Sequence, residues 1–140
     1  IERTEESYEK HGHGMYAVIH KADDKMIGLC GITYQPIDGE QLPEIGYQIN
    51  RAYWGRGIAP EAAIACKQLG FAQFKFPFLV SWMAPDNAPS RRVAEKVGMT
   101  FWKEVINSKS GTPHVVYRVD CDVAASSVAS NKVANRQRLE

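Results

Sequence analysis

The chain has no apolar run approaching the roughly 20 residues needed to span a bilayer, and its start lacks the basic, apolar and small-residue regions of a signal peptide. A membrane is therefore not an indicated partner, and the cytoplasm is the expected compartment. Charge of one sign is also scarce. Seventeen Lys plus Arg meet sixteen Asp plus Glu, a formal net charge of +1 with neither a basic stripe nor an acidic tail. Nucleic acid is not indicated either. Cysteine is sparse: Cys30, Cys66 and Cys121 are odd in number and far apart, with no Cys-x-x-Cys pair, so they read as reduced core thiols. His11 and His13 flank a glycine but lack the further ligands of a stable site, and no metal is expected.

What is present suffices for one domain. The 140 residues are 44% hydrophobic, enough to fill a single core. Ala124 to Glu140, rich in Ala, Ser, Asn and Arg and without aromatics, reads as a tail. The expected division is a folded domain over 1–120 and a disordered segment over 121–140.

Residues 2–10 suit the last turns of a helix that Gly12 and Gly14 end. Met15 to His20 and Met26 to Tyr34 read as a hairpin, followed by a loop containing Pro36, Gly39 and Pro43. Glu44 to Ile49 alternates with period two. Ile45, Tyr47 and Ile49 share one face, and Glu44, Gly46 and Gln48 share the other. From Ile58 the spacing turns helical, with a predicted stripe of Ile58, Ala62, Ala65, Leu69 and Ala72. Phe78 to Met83 is a short strand. Ala88 to Val97 is a well-punctuated helix, with Asn87 to cap it, Pro89 in its first turn and Gly98 behind it. Thr100 to Ile106 and His114 to Val119 form a last strand pair.

The segment Tyr53-Trp54-Gly55-Arg56-Gly57-Ile58-Ala59-Pro60-Glu61-Ala62 joins a strand region to a helix. Small residues let backbone approach a ligand, and free N–H groups at a helix start attract an anion such as a pyrophosphate. No Gly-Lys-Ser or Gly-Lys-Thr follows, and Pro60 occupies the third glycine position of a dinucleotide fingerprint, so both of those cofactor classes drop out. Taken alone, the motif fits an ordinary tight turn into a buried helix as well.

With Glu44-Ile45-Gly46-Tyr47 before it and Asn87-Ala88-Pro89-Ser90-Arg91-Arg92-Val93-Ala94-Glu95-Lys96-Val97-Gly98-Met99 after it, the chain resembles the GNAT superfamily of acetyltransferases from about Ile1 to Asp120. Within it, the match is to the branch of ribosomal-protein N-terminal acetyltransferases. The resemblance implies an α/β fold, a mixed and mostly antiparallel sheet splayed at its centre between the strand ending at Ile49 and that of Phe78 to Met83, flanked by helices. It implies acetyl-CoA as cosubstrate in the gap, no metal, and an amine acceptor, either a peptide N-terminus or a small molecule. Backbone N–H groups of Gly55, Arg56, Gly57, Ile58 and Ala59 would hold the pyrophosphate, with the Arg56 side chain adding charge. The backbone of Gln48 and Ile49 and the side chain of Asn87 would hold the pantetheine arm, and Lys96 either reaches the adenosine end or is a solvated surface lysine. An N-terminal strand and helix are implied to precede Ile1, and a monomer or homodimer is expected.

Two departures matter. Trp54 stands where the superfamily more often has Gln or Arg, and Ala94 stands where many relatives have a general-acid tyrosine. Transfer needs a neutral amine, a donor to the developing oxyanion and a proton for the thiolate. A backbone N–H near Gln48 or Ile49 is the expected oxyanion donor. Glu44 is the candidate base, or else a solvated or substrate-orienting carboxylate. Ser90 is the candidate donor to the sulfur, or else a capping residue, with Tyr117 as the alternative donor or a core tyrosine. A CoA-binding module without turnover, acting as a sensor or partner subunit, is the competing function.

Overall fold

A computed structural model describes residues 12–122. The helix expected over residues 2–10 and almost all of the tail lie outside the described residues. The order is β1 (Met15–His20), β2 (Lys25–Ile37), β3 (Glu40–Ile49), a 3₁₀ turn (Arg51–Tyr53), α1 (Ile58–Ala72), β4 (Phe78–Met83), α2 (Ala88–Val97), β5 (Thr100–Ile106) and β6 (Pro113–Asp120). The strands form one sheet in the order β1-β2-β3-β4-β6-β5. Every pairing is antiparallel except that of β3 with β4. No helix among the described residues is long and apolar enough to cross a membrane.

The loop expected around Pro36, Gly39 and Pro43 is instead a long hairpin. Asp38 and Gly39 both have positive φ, 52° and 77°, as the two-residue turn matching strand twist requires. From that turn the ladder runs Ile37↔Glu40, Pro36↔Gln41, Gln35↔Leu42 and Tyr34↔Pro43. Both prolines therefore fall on the non-hydrogen-bonded rungs, where a missing N–H takes nothing from the β2–β3 ladder. The β3 strand begins at Glu40, so Glu44 lies in its middle and not at its start.

Two apolar layers follow from strand alternation. On the helical side Cys30, Ile32, Ile45, Leu79, Val115 and Tyr117 meet Ala63, Cys66, Ala94 and Val97 from the two helices. On the other side Ile37, Leu42, Val80, Val105 and Val116 pack with Phe78 and Trp82, all from strands. The buried face of α1 is Ala63, Cys66 and Gly70, about one position on from the predicted stripe, and Ala65 and Ala72 are exposed. Alanine surrounds this helix, so hydropathy marks no single face; close approach to the sheet decides it. A Cβ on Gly70 would stand 2.8 Å from Ile32 Cδ1. Of the cysteines, Cys30 and Cys66 are buried with their sulfurs 3.5 Å apart, whereas Cys121 is half-buried; all three are free thiols.

The β3–β4 contact is the decisive one. These parallel neighbours share a single register pair, Glu44↔Val80, and then part. Polar backbone exposed by the parting is met by side chains. Ser81 Oγ donates to the Ile45 carbonyl at 2.8 Å, and the Glu44 carboxylate accepts the backbone N–H of Trp82. Ser81→Ala removes one partner and leaves a buried carbonyl unmet, so urea unfolding should show a loss of about 1–3 kcal/mol. An unchanged midpoint and slope would show that the Ile45 carbonyl finds another donor.

Candidate active site

The gap opens beyond the end of the shared register, on the helical side of the sheet. One wall begins where β3 ends. Asn50 N–H returns to the Ile27 carbonyl at 2.7 Å, and the Asn50 side chain accepts from Ala52 N–H at 3.1 Å, folding the chain into the 3₁₀ turn. Trp54 Nε1 then donates to the Ile49 carbonyl at 2.7 Å, tying the turn to the end of β3. Gly55 and Gly57 have φ of 78° and 75°, values that side chains disfavour, and they turn the chain into α1. No side chain caps α1. Its leading N–H groups are thus given no internal side-chain acceptor, and the positive end of the helix faces the gap.

The other wall is the start of α2. Asn87 Oδ1 accepts from Ser90 N–H at 3.2 Å, and Asn87 N–H donates to the Ala84 carbonyl at 3.0 Å. Capping therefore falls to Asn87 and not to Ser90. Arg91 holds the approach to this helix: Nη1 donates to the Pro85 carbonyl at 2.9 Å and Nε to Tyr117 Oη at 3.1 Å. That occupies the Tyr117 hydroxyl in the core, and Tyr117 does not line the cleft.

Between the walls lies a cleft of about 510 Å³, within the size range of small-molecule sites. The structure brings Gln48, Ile49, Gly55, Gly57, Ile58, Ala59, Asn87 and Ser90 together on it. Two expected residues are not brought there. Arg56 turns aside, its guanidinium 5.0 Å from the centre of the Tyr53 ring. Glu44 lies on the opposite face of the sheet, as its alternation with Tyr47 requires. It is only 8% exposed, and burial pushes its carboxyl up to about 8 against the pull of hydrogen bonds from Trp82 N–H and the Gln35 side chain. A solvated carboxylate it is not.

Sequence reasoning missed Tyr47, whose alternation with Ile45 and Ile49 reads as core, and the indole of Trp54. Tyr47 does pack against the helix-side core, yet its hydroxyl reaches across the gap to Ser90. Arg92 and Lys96 also line the cleft one turn apart, so Lys96 faces it and is not merely a surface lysine. Among the described residues no group of three His, Cys, Asp or Glu side chains is arranged to hold a metal.

Solved acetyltransferases share this architecture. One from Agrobacterium tumefaciens is 31% identical, with a TM-score of 0.70 over 82% of this chain and 65% of its own. RimL, a ribosomal L7/L12 alpha-N-protein acetyltransferase solved with coenzyme A, is 18% identical and alike in fold, with a TM-score of 0.73 over 87% of this chain and 70% of its own. The class defined is thus an acetyltransferase fold. The Acetyltransferase (GNAT) domain family matches residues 1–100, and the chain belongs to that family. A Bacillus subtilis protein, YkkB, is 37% identical over 116 residues, covering 83% of this chain and 64% of its own length. The chain spans about two thirds or less of the curated relatives it matches.

The buried Glu44 carboxyl gives a measurable pH signature. Its folded pKa of about 8 lies above the ordinary 4.5, so the fold favours the protonated form. The stability this carries is full below the ordinary value and is lost as pH rises through about 8. Thermal melts from about pH 5 to about pH 9 should show the parent falling by several degrees more than Glu44→Gln, whose amide does not titrate. Parallel curves would show that Glu44 ionises in the fold as easily as in the unfolded chain.

Proposed function

We propose that the chain is the catalytic domain of an N-acetyltransferase that moves acetyl from acetyl-CoA to a primary amine, at a protein N-terminus or on a small molecule. One observation carries this reading: the uncapped start of α1 and the Asn87 side chain face each other across a single cleft floored by the end of β3. A long ligand with an anionic centre and an amide-bearing arm matches that arrangement. Backbone N–H groups from Gly55 to Ala59 would take the pyrophosphate. Gln48, Ile49 and Asn87 would take the arm, and Arg56 would swing from Tyr53 to add charge at the rim. The thioester supplies an activated acetyl group and a sulfur leaving group.

Glu44 would receive the proton of the incoming ammonium, directly or through water, from the far face of the sheet where the strands part. Its carboxyl, raised by burial to about 8, would become an acceptor as pH rises toward that value and it ionises. Backbone N–H near Gln48 or Ile49 would meet the developing oxyanion, and Ser90 Oγ the departing sulfur. That RimL was solved with coenzyme A supports the choice of ligand, and its action as an alpha-N-protein acetyltransferase supports the ribosomal-protein branch as the first acceptors to try. The proposed setting is the cytoplasm, with a monomer or homodimer as the working form and residues 121–140 outside the folded domain.

A second reading has its own support. Glu44 is absent from the cleft lining, and the buried Ala94 stands where the resemblance implies a general-acid tyrosine, which suits a CoA-binding sensor or partner module without turnover.

Calorimetry and coenzyme A release with a panel of amines separate the two. Gly57→Asp, which sets a carboxylate at the helix start, should weaken CoA binding by roughly 10-fold or more, and Asn87→Ala should raise the Michaelis constant for acetyl-CoA. Equal affinity in parent and Gly57→Asp would remove the proposed site. Glu44→Gln should lower turnover by roughly 100-fold or more with acetyl-CoA affinity near the parent value, part of the rate returning at high pH where the amine is already neutral. Tight binding without release of coenzyme A for any amine would favour the sensor.

A further inference from the structure

The hydroxyl of Tyr47 crosses the gap from strand to helix within hydrogen-bond reach of a candidate catalytic side chain. Its oxygen lies 2.8 Å from the Ser90 carbonyl, to which it donates, and 3.0 Å from Ser90 Oγ. A phenol hydroxyl has one hydrogen to donate. While that hydrogen rests on the carbonyl, the contact with Ser90 Oγ can be filled only by the serine hydrogen, which is then turned toward Tyr47. Rotation of the phenol hydrogen from the carbonyl to Ser90 Oγ reverses the second bond and frees the serine hydrogen for the cleft. Both acceptors are already in range, so the exchange needs no movement of either backbone.

We infer that Tyr47 is a positioning residue for sulfur departure: it fixes Ser90 Oγ at the cleft wall and, by exchanging acceptors, turns the serine hydrogen toward the leaving thiolate. This deepens the acetyltransferase reading and rests on it. No proton has to leave an oxygen. Ser90 donates a hydrogen bond to developing negative charge, and the phenol replaces the bond that Ser90 gives up. Burial holds the Tyr47 hydroxyl above the ordinary tyrosine range, so it keeps its hydrogen.

The experiment is a double-mutant cycle on the parent, Tyr47→Phe, Ser90→Ala and the double variant. If Tyr47 acts through Ser90, each single change lowers kcat by roughly 10-fold with the acetyl-CoA Michaelis constant within about 2-fold, and the double variant is no slower than Ser90→Ala. Ser90→Thr, which keeps the hydroxyl, should restore the sensitivity to Tyr47→Phe. A readout without acceptor covers the case in which no substrate is found. The thiol of bound CoA, titrated by the ultraviolet absorbance of its thiolate, should ionise at lower pH in the parent than in either single variant, with no further change in the double. Arg92 and Lys96 are common to all four proteins, so their charge cancels. Multiplicative losses in the cycle, or equal thiol titrations in parent and Tyr47→Phe, overturn the role of Tyr47 while leaving the cleft reading intact. Absence of CoA binding by the parent overturns both.

Discussion

The structure depends on a parting of neighbours. Parallel strands normally exchange hydrogen bonds along their whole length, yet β3 and β4 share one register pair and then diverge. Unmet backbone polar groups inside a protein are expensive, so a divergence of this kind persists only where other groups take over. Here Ser81 and Glu44 do so beside the shared pair. Farther along, the walls are held apart and in register by Tyr47 on Ser90 and by Arg91 on the β4–α2 approach. The cleft is the space that those substitutes leave unfilled.

Close approach of backbones sets the other dimension of the site. A Cβ on Gly28 would collide with the Gln48 carbonyl, and one on Gly70 would crowd Ile32 and Leu79. The first glycine lets β2 lie flat against the part of β3 that floors the cleft. The second lets α1 settle onto the sheet, which fixes where its uncapped start points. Lys67 adds a brace between the helices, donating to the Val97 carbonyl at 2.7 Å, where α2 ends with acceptors unmet by its own turns. The two walls of the site are thus the front ends of helices whose rear portions are bound to each other.

Local signals were read well from sequence. The α2 boundaries, its Asn87 cap and its Gly98 stop follow from residue chemistry within a few positions, and so do β1, β4, β5 and the glycine-rich turn. Proline misled the reading of the β2–β3 hairpin, because whether a missing N–H matters depends on which rung the residue occupies, and rung parity is counted from a turn. The alanine-rich α1 hid its buried face for a related reason: size, not hydropathy, selected Ala63, Cys66 and Gly70. At the cleft, the glycine turn into α1 and the Asn87 cap are set by local backbone and so were legible. Glu44, Tyr47 and Arg91 owe their roles to partners on other elements. No periodicity reports that a carboxylate on one face of a strand is sealed from water, or that a phenol from the other face reaches a helix.

The prolines of the β2–β3 hairpin have a consequence for the chain's life in a crowded solution. Among the described residues β1 pairs with β2 no farther than Gly31, and beyond it His13 meets the Ile32 carbonyl and the Tyr34 ring, so no described strand pairs with the Gln35 to Ile37 end of β2 on that side. Bare strand edges template pairing with other chains. Because Pro36 sits on a non-hydrogen-bonded rung of its own ladder, the position where its N–H would be looks away from β3, along that outer edge. An intruding strand would find a bulky ring where it needs a donor. The residue that disguised this strand in the sequence is what makes its edge a poor seed for aggregation.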